Sequence, residues 1–444
     1  MMQSLSFPLA PFAGDADLPE AADVVVIGGG IIGVCTALEL AERGVSVLLC
    51  EKGLIGAEQS SRNWGWTRQM GRDPRELPLC MESLRLWAGM NERIGADTGW
   101  RRTGIAYLSY TRRELDHWRN WEKIGAEHGV DGRMLSRTEI DTRLPGNDGR
   151  ILGVLHTGSD GKAEPWIAVP AIASAARAKG ARIVTGCAVR GLETASGRVS
   201  AVVTERGTVA CQQVVIAAGM WSRLFAGNLG IDFPQLKVLG PVARVEGVPL
   251  ITDMPVGAEN FAFRHRQDGG YTIAVRNRAI APLTPDHFRL LGDYLPGLRT
   301  SWRELSPRIG RTFLEDLATA RRWALDRRTI FEQVRILNPD PVPGYTRKAL
   351  HRLARAFPAF QGARITHEWA GYMDATPDAI PVIGPVPALP GLNIASGFSG
   401  HGFGIGPGAG RMMAQLILGE NTLVPADVFA FTRLRPGQAQ PAAA

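Results

Sequence analysis

Lysine is scarce in this 444-residue chain: of 50 basic residues only 6 are lysine, and the arginines that make up the rest are scattered rather than clustered. Pairs such as Arg101-Arg102, Arg321-Arg322 and Arg327-Arg328 are too short to form a phosphate-tracking stripe. The net charge of +7 therefore points to no nucleic-acid partner, and leaves only a mild pull toward acidic small molecules or membrane surfaces. Cysteine is sparse too. Cys35, Cys50, Cys80, Cys187 and Cys211 are odd in number and lack C-x-x-C spacing, which excludes a disulfide framework, predicts no metal site and implies a reducing compartment. No apolar run is long enough to span a bilayer, and the N-terminus lacks a basic stretch followed by an apolar core. A cytoplasmic location is expected, peripheral to the inner membrane at most. Periodicity is missing from residues 1–19 and 433–444, which are expected to be flexible ends. Apolar residues are plentiful at 45%, against 21% charged, as in a globular enzyme with two or three cores.

The stretch from Ala22 to Glu51 organises the rest. Val24 to Ile27 is an uninterrupted apolar run, as a strand buried on both faces should be. Gly28, Gly30 and Gly33 then give G-x-G-x-x-G, followed by a helical apolar face closed at Gly44 and a second strand ending at Glu51. The first glycine permits the tight turn, the second lets a pyrophosphate approach the backbone, and the third lets helix and strand meet closely. Ile31 and Ile32 open the helix, whose N-terminus favours an anion without basic side chains. Glu51, about 20 residues beyond the glycines, stands where a carboxylate accepts ribose hydroxyls, and Lys52 follows it. At this point NAD and FAD remain equally open.

The loop after Glu51 carries Ser60, Ser61, Arg62 and Asn63 as phosphate-directed donors, with Trp64 and Trp66 available to lie against an aromatic ring. Strands are expected at Gly104 to Tyr110, Ala181 to Thr185, Val199 to Thr204 and Val214 to Ala218. The last runs into Gly219 and Trp221, where small residues let a ligand approach. From Pro241 to about Gly362 the pattern changes to strands around Phe261 to Phe263 and Tyr271 to Val275, then a helix near Arg303 to Arg322. Sheet signals return at Arg364, and the strand Leu392 to Ala395 leads through a glycine-rich loop into a helix over Ala409 to Leu418.

Four segments together resemble the D-amino-acid oxidase superfamily of FAD enzymes, whose branches include D-amino acid dehydrogenases, glycine oxidase and sarcosine oxidases. They are VVVIGGGIIG with Glu51, SSRNWG, VVIAAGMWS, and TPDAIPVIGP with GFSGHGFG. The resemblance implies an α/β chain with a Rossmann-like FAD-binding domain of the glutathione-reductase type, discontinuous over 20–95, 151–238 and 364–432. An α+β substrate domain on an antiparallel sheet would then come from 96–150 and 239–363. It implies FAD as cofactor, held by Gly28, Gly30, Gly33 and Glu51, with Ser60, Ser61, Arg62 and Asn63 along the phosphates and flavin edge. Val189 would meet the adenine, Ala218, Gly219 and Trp221 would lie close to the cofactor, and Gly400, His401, Gly402 and Phe403 would surround the pyrimidine.

The same resemblance implies oxidation of the CH–NH bond of a D-amino acid or N-substituted amino acid, by hydride transfer to flavin N5 and hydrolysis of the imine. Departures from the pattern matter. Gly371 stands where sarcosine-oxidase-like enzymes carry a flavin-tethering cysteine, so non-covalent FAD is expected. Gly404 replaces a carboxylate-binding lysine, and Gly371-Tyr372-Met373 lacks the arginine of the glycine-oxidase branch. A carboxylate then needs another guanidinium. Arg68, Arg264 and Arg276 are the candidates, with Tyr271 and Tyr372 shaping the pocket and His401 either a hydrogen-bonder or a base. Thr272 takes the place of a lysine that favours reaction with oxygen, and Arg276 is expected on the same strand face. Electrons are therefore expected to go mainly to a quinone or electron-transfer protein rather than to oxygen. Oxidation of an amine lacking a carboxylate, a flavin-binding role within a larger complex, and a homo-oligomer stay open beside this reading.

Overall fold

The computed structural model describes residues 7–301 and 305–438. The organising stretch forms strand Val24–Ile27, helix Ile31–Ala41 and strand Val47–Glu51, and every residue of that helix is buried. Both strands lie inside a six-stranded sheet. Its order is Val382–Pro385, Leu392–Ser396, Gln213–Ile216, Val24–Ile27, Val47–Glu51 and Arg182–Thr185, with every pair parallel except the first. Three distant stretches of chain therefore build one nucleotide-type sheet. Apolar residues cover both of its faces, Val26 and Leu49 with the helices on one side and Val25 and Leu48 on the other.

A ten-stranded, mainly antiparallel sheet stands beside it. Its longest pairing joins Leu236–Glu246 to Arg364–Ala375, from Leu236 opposite Ala375 to Glu246 opposite Arg364. That pairing corrects a boundary, because Arg364–Ala375 and Gly153–Thr157 both belong to this second sheet, although their positions in sequence suggest the nucleotide domain. Strand patterning reports that a segment is extended, not which sheet it joins.

The last helix starts at Gly402 rather than Ala409 and runs to Leu418. Its glycines are contact surface, not loop. A Cβ on Gly406 would meet Ile31 at 2.6 Å, and one on Gly410 would meet the Cys35 backbone at 2.6 Å. Strand Leu305–Arg308 and helix Arg311–Ala318 occupy the stretch expected to be one helix, while Arg303 lies outside the described residues.

The described parts of both ends are held rather than loose. Phe7 is buried, Asp15 pairs with Arg177 at 2.9 Å, and Arg435 pairs with Asp293 at 2.9 Å. These are single anchoring side chains, which leave no periodicity to read. No described helix is long and apolar enough to cross a membrane, and no cluster of potential metal ligands occurs among the described residues.

Candidate functional site

A cleft with about 1300 Å³ of empty space, open solvent at its mouth included, runs along the glycine turn. Gly28 has φ +112°, and a Cβ there would lie 2.5 Å from the Ala217 carbonyl oxygen. On Gly33 it would lie 1.9 Å from the Gly28 oxygen, so neither position accepts a side chain. Gly30 and Ile31 line the cleft. Ser60 Oγ accepts the Ile31 N–H at 2.9 Å, which brings the following loop over the helix start. Glu51 accepts the N–H groups of Gly29 and Gly53, each at 2.7 Å. Burial pushes its carboxyl above the ordinary range, with those two hydrogen bonds opposing.

Most of the other cofactor candidates share this wall. Ile32, Lys52, Arg62, Asn63, Val189, Ala218, Gly219 and Trp221 line it, and so do Tyr372, Gly400, Gly402 and Phe403. Lys52 is engaged already: it donates to Glu58 at 2.6 Å and to the Val334 carbonyl at 2.8 Å, while Trp221 Nε1 donates to Glu58 at 3.0 Å. Asn63 shapes its own turn, donating to the Ser60 carbonyl and accepting from the Gly65 N–H.

Besides Gly33, which packs beneath the turn, five candidates lie off the wall. Ser61 donates to the Pro165 carbonyl at 3.4 Å, and Trp64 stacks edge-on against Trp66. Gly371 abuts Gln59 and Arg62, and the Gly404 carbonyl accepts from Ser83 and Trp87, both at 2.9 Å. His401 sits at the start of the last helix with Nδ1 3.2 Å from Glu76. Burial, reinforced by the Arg72 charge, pushes that imidazole down to about 4, which keeps it neutral near pH 7.

The substrate-side candidates divide. Arg264 is buried and bound by both nitrogens to Glu164, at 2.5 and 2.9 Å, with Nε on the Trp64 carbonyl at 2.7 Å. Burial alone would raise the Glu164 carboxyl, but Arg264 holds it at about 2. This arginine belongs to the scaffold, because its carboxylate partner is built in. Tyr271 is likewise a core residue: its hydroxyl donates to the Pro249 carbonyl and accepts from the Ile251 N–H, and its ring meets Phe263 and Phe360 edge-to-face.

Arg68 and Arg276 meet at one ring. Their guanidinium carbons lie 5.6 and 4.2 Å from the centroid of Tyr107, itself stacked on Trp118 at 4.4 Å. Strand Tyr271–Ala274 ends before Arg276, so the period-two alternation that would align it with Thr272 stops short of it. Thr272 is buried and accepts from Arg266 at 3.3 Å.

Three residues that the motifs did not single out belong to this account. Arg72 is buried with Nε and Nη1 unpartnered, and burial followed by repulsion from Arg68 pushes it down to about 10. A buried guanidinium with open donors is suited to an anion, but no local signal separates it from the other arginines. Asp374 lines the cleft and accepts from Gly397 N–H at 2.8 Å and Ser396 at 3.1 Å. Glu58 ties Lys52 to Trp221.

A family model described as FAD dependent oxidoreductase matches residues 23–416. An L-amino acid deaminase from Proteus myxofaciens, solved with anthranilate, superposes with a TM-score of 0.93 at 33% identity, over 97% of each chain. Another L-amino acid deaminase, from Proteus vulgaris, gives 0.90 at 31% identity, over 96% of this chain and 100% of that one. Glycine oxidase of Geobacillus kaustophilus is 26% identical over 93% of this chain and 97% of its own. Human mitochondrial sarcosine dehydrogenase is 26% identical over 90% of this chain, which spans only 40% of that protein.

Proposed function

The chain belongs to the FAD-dependent oxidoreductase family, and from that premise we propose that it oxidatively deaminates an L-amino acid. The relatives support an FAD-dependent oxidoreductase of amino acids or N-methylated amino acids. Where the motifs alone favoured a D-amino acid or N-substituted one, full-length similarity to two L-amino acid deaminases supports the L enantiomer. The observation that carries the reading is the pair Arg68 and Arg276 on the Tyr107 ring, with the buried Arg72 close enough to Arg68 to feel its charge, a concentration of cations suited to a substrate carboxylate.

The cleft fits FAD. Its glycine turn leaves no room for Cβ atoms, its helix start offers N–H groups to a diphosphate, and its half-buried Glu51 is already oriented by two backbone donors. When bound, FAD supplies the hydride acceptor. The protein's residues supply placement. Gly28, Gly30 and Ile31 would hold the diphosphate, Glu51 the ribose, and Arg62, Tyr372, Gly400, Gly402 and Phe403 would border the ring. The helix Gly402–Leu418 directs the positive end of its dipole toward that border. Arg68, Arg72 and Arg276 fix the carboxylate, and neutral His401 orients through Glu76 without acting as a base.

Mixing the flavin-loaded protein anaerobically with L-, D- and N-methyl amino acids is expected to bleach the flavin with L-amino acids. Bleaching by D- or N-methyl compounds alone overturns the stereochemical reading. Acid precipitation is expected to release the flavin, because Gly371 offers no thiol for a tether.

We further infer an electron acceptor other than oxygen, since Thr272 brings no charge to its strand. Exposed Ile309, Leu314 and Leu317 give one surface an apolar face suited to peripheral membrane contact. Reoxidation of the reduced flavin by a quinone faster than by air is the expected result.

A further inference from the structure

The segment ahead of the first strand enters none of the chemistry above, yet it touches the cofactor loop. Phe7 is 5% exposed and is buried against Val242 and Trp369, with Trp64 alongside. Its ring centroid lies 4.7 Å from the guanidinium carbon of Arg62, which lines the cleft. The edges of that guanidinium are already occupied. Nη1 donates to Asn338 at 2.7 Å and to the Ala370 carbonyl at 2.9 Å, while Nε and Nη2 donate to the Ala57 carbonyl at 3.2 and 3.1 Å.

All three acceptors are neutral oxygens. Among the described residues no carboxylate bonds to this buried cation, and burial pushes it down to about 10 with the Glu58 charge opposing. Phe7 supplies what is missing: the electron-rich face of a ring stabilises a desolvated cation and keeps water off it. Trp369, which shares the cluster with Phe7, also donates to the Arg62 carbonyl at 3.1 Å, so the same patch grips both the backbone and the side chain of Arg62. The segment is tied down just beyond, where the Ala10 N–H donates to Trp166 at 3.0 Å.

We propose that Phe7 is a positioning residue for FAD, its ring holding the Arg62 guanidinium in the cleft wall so that residues 7–10 strap the cofactor loop in place. The proposal rests on the reading of the cleft as the FAD site. Without the ring face, the edge hydrogen bonds of Arg62 remain but one face of its guanidinium opens to water, and its seat in the cleft wall loosens.

The test titrates FAD into the full apo chain and follows the fluorescence and visible spectrum of the flavin. Phe7→Leu keeps apolar volume but removes the ring, and is expected to weaken FAD by about tenfold and to alter the bound-flavin spectrum. Phe7→Tyr keeps the ring and is expected to restore both. The thermal midpoint of the apo chain is expected to fall modestly in Phe7→Leu and to recover in Phe7→Tyr, so the spectrum of the bound flavin is the readout that separates positioning from stability. Wild-type affinity in Phe7→Leu overturns the proposal, as does a loss in Phe7→Tyr equal to that in Phe7→Leu. A wild-type chain that takes up no FAD overturns the reading of the cleft itself, and the proposal with it.

Discussion

The glycine cradle and the arginine cluster around Tyr107 are built in opposite ways. In the cradle, backbone groups make the site: Gly28 and Gly33 exclude side chains, and Glu51 is fixed by two N–H donors. Around Tyr107, long side chains from two distant parts of the sequence make it, with Arg68 and Arg72 from one loop and Arg276 from beyond a strand. Backbone sites leave a spacing in the sequence. Side-chain sites leave only residue types, and a type does not disclose its partner. Arg264 and Arg276 look alike in sequence, yet one is locked to a buried carboxylate and the other lies on an aromatic face.

The sharpest way to break this comparison is Arg264→Met. Leaving Glu164 charged and unpaired in the core is expected to cost about 3 to 5 kcal/mol of stability, read by chemical denaturation. A variant as stable as wild type but with a raised KM would return Arg264 to the substrate. Next, Glu51→Arg replaces an acceptor with a donor. It is expected to weaken FAD about ten- to a hundredfold, the worth of roughly 1.5 to 3 kcal/mol for a charged hydrogen bond, and unchanged flavin content would refute the ribose assignment. On the other side of the comparison, Arg276→Lys gives up a planar fork for a point charge. KM for the amino acid is expected to rise by about tenfold, roughly 1.4 kcal/mol, with FAD affinity unmoved; a change in FAD affinity instead would place Arg276 in the cradle's half.

The smallest effect concerns His401, which stands between the two regions. Its imidazole titrates at about 4 in the folded chain, against roughly 6.5 when unfolded. The unfolded state therefore binds its proton first. The contribution of His401 is complete above pH 6.5 and is lost as pH falls toward 4. Apo protein is expected to lose stability through this residue across that window, in the direction that linkage requires. Thermal midpoints of His401→Asn and wild type that follow the same pH curve would show that the ring contributes nothing.

Legibility followed the same division. Strand, turn, helix and strand over residues 24–51 were readable because period and glycine spacing are local properties. The Gly402–Leu418 helix was not read in full, since glycines that admit a neighbouring helix look the same in sequence as glycines that make a loop. Gly406 and Gly410 are distinguished only by Ile31 and Cys35 lying against them. Strand Arg364–Ala375 was readable as extended but not as the partner of Leu236–Glu246, because pairing across more than a hundred residues leaves no local trace. Phe7 illustrates the extreme case: one aromatic in an aperiodic segment acquires its meaning from Arg62.

The order of strands in the six-stranded sheet also sets a timetable for synthesis. Val24–Ile27 leaves the ribosome early, but the sheet is completed only by Leu392–Ser396 beside Gln213–Ile216, and the helix from Gly402 then closes on Ile31 and Cys35. Until those last residues emerge, the early strands wait with apolar faces uncovered, a long-range pairing of the kind that folds slowly and is prone to misassembly. Cofactor uptake is thus a report of completion: a chain broken off before residue 392 carries every glycine of the turn and still has no finished place to put the flavin.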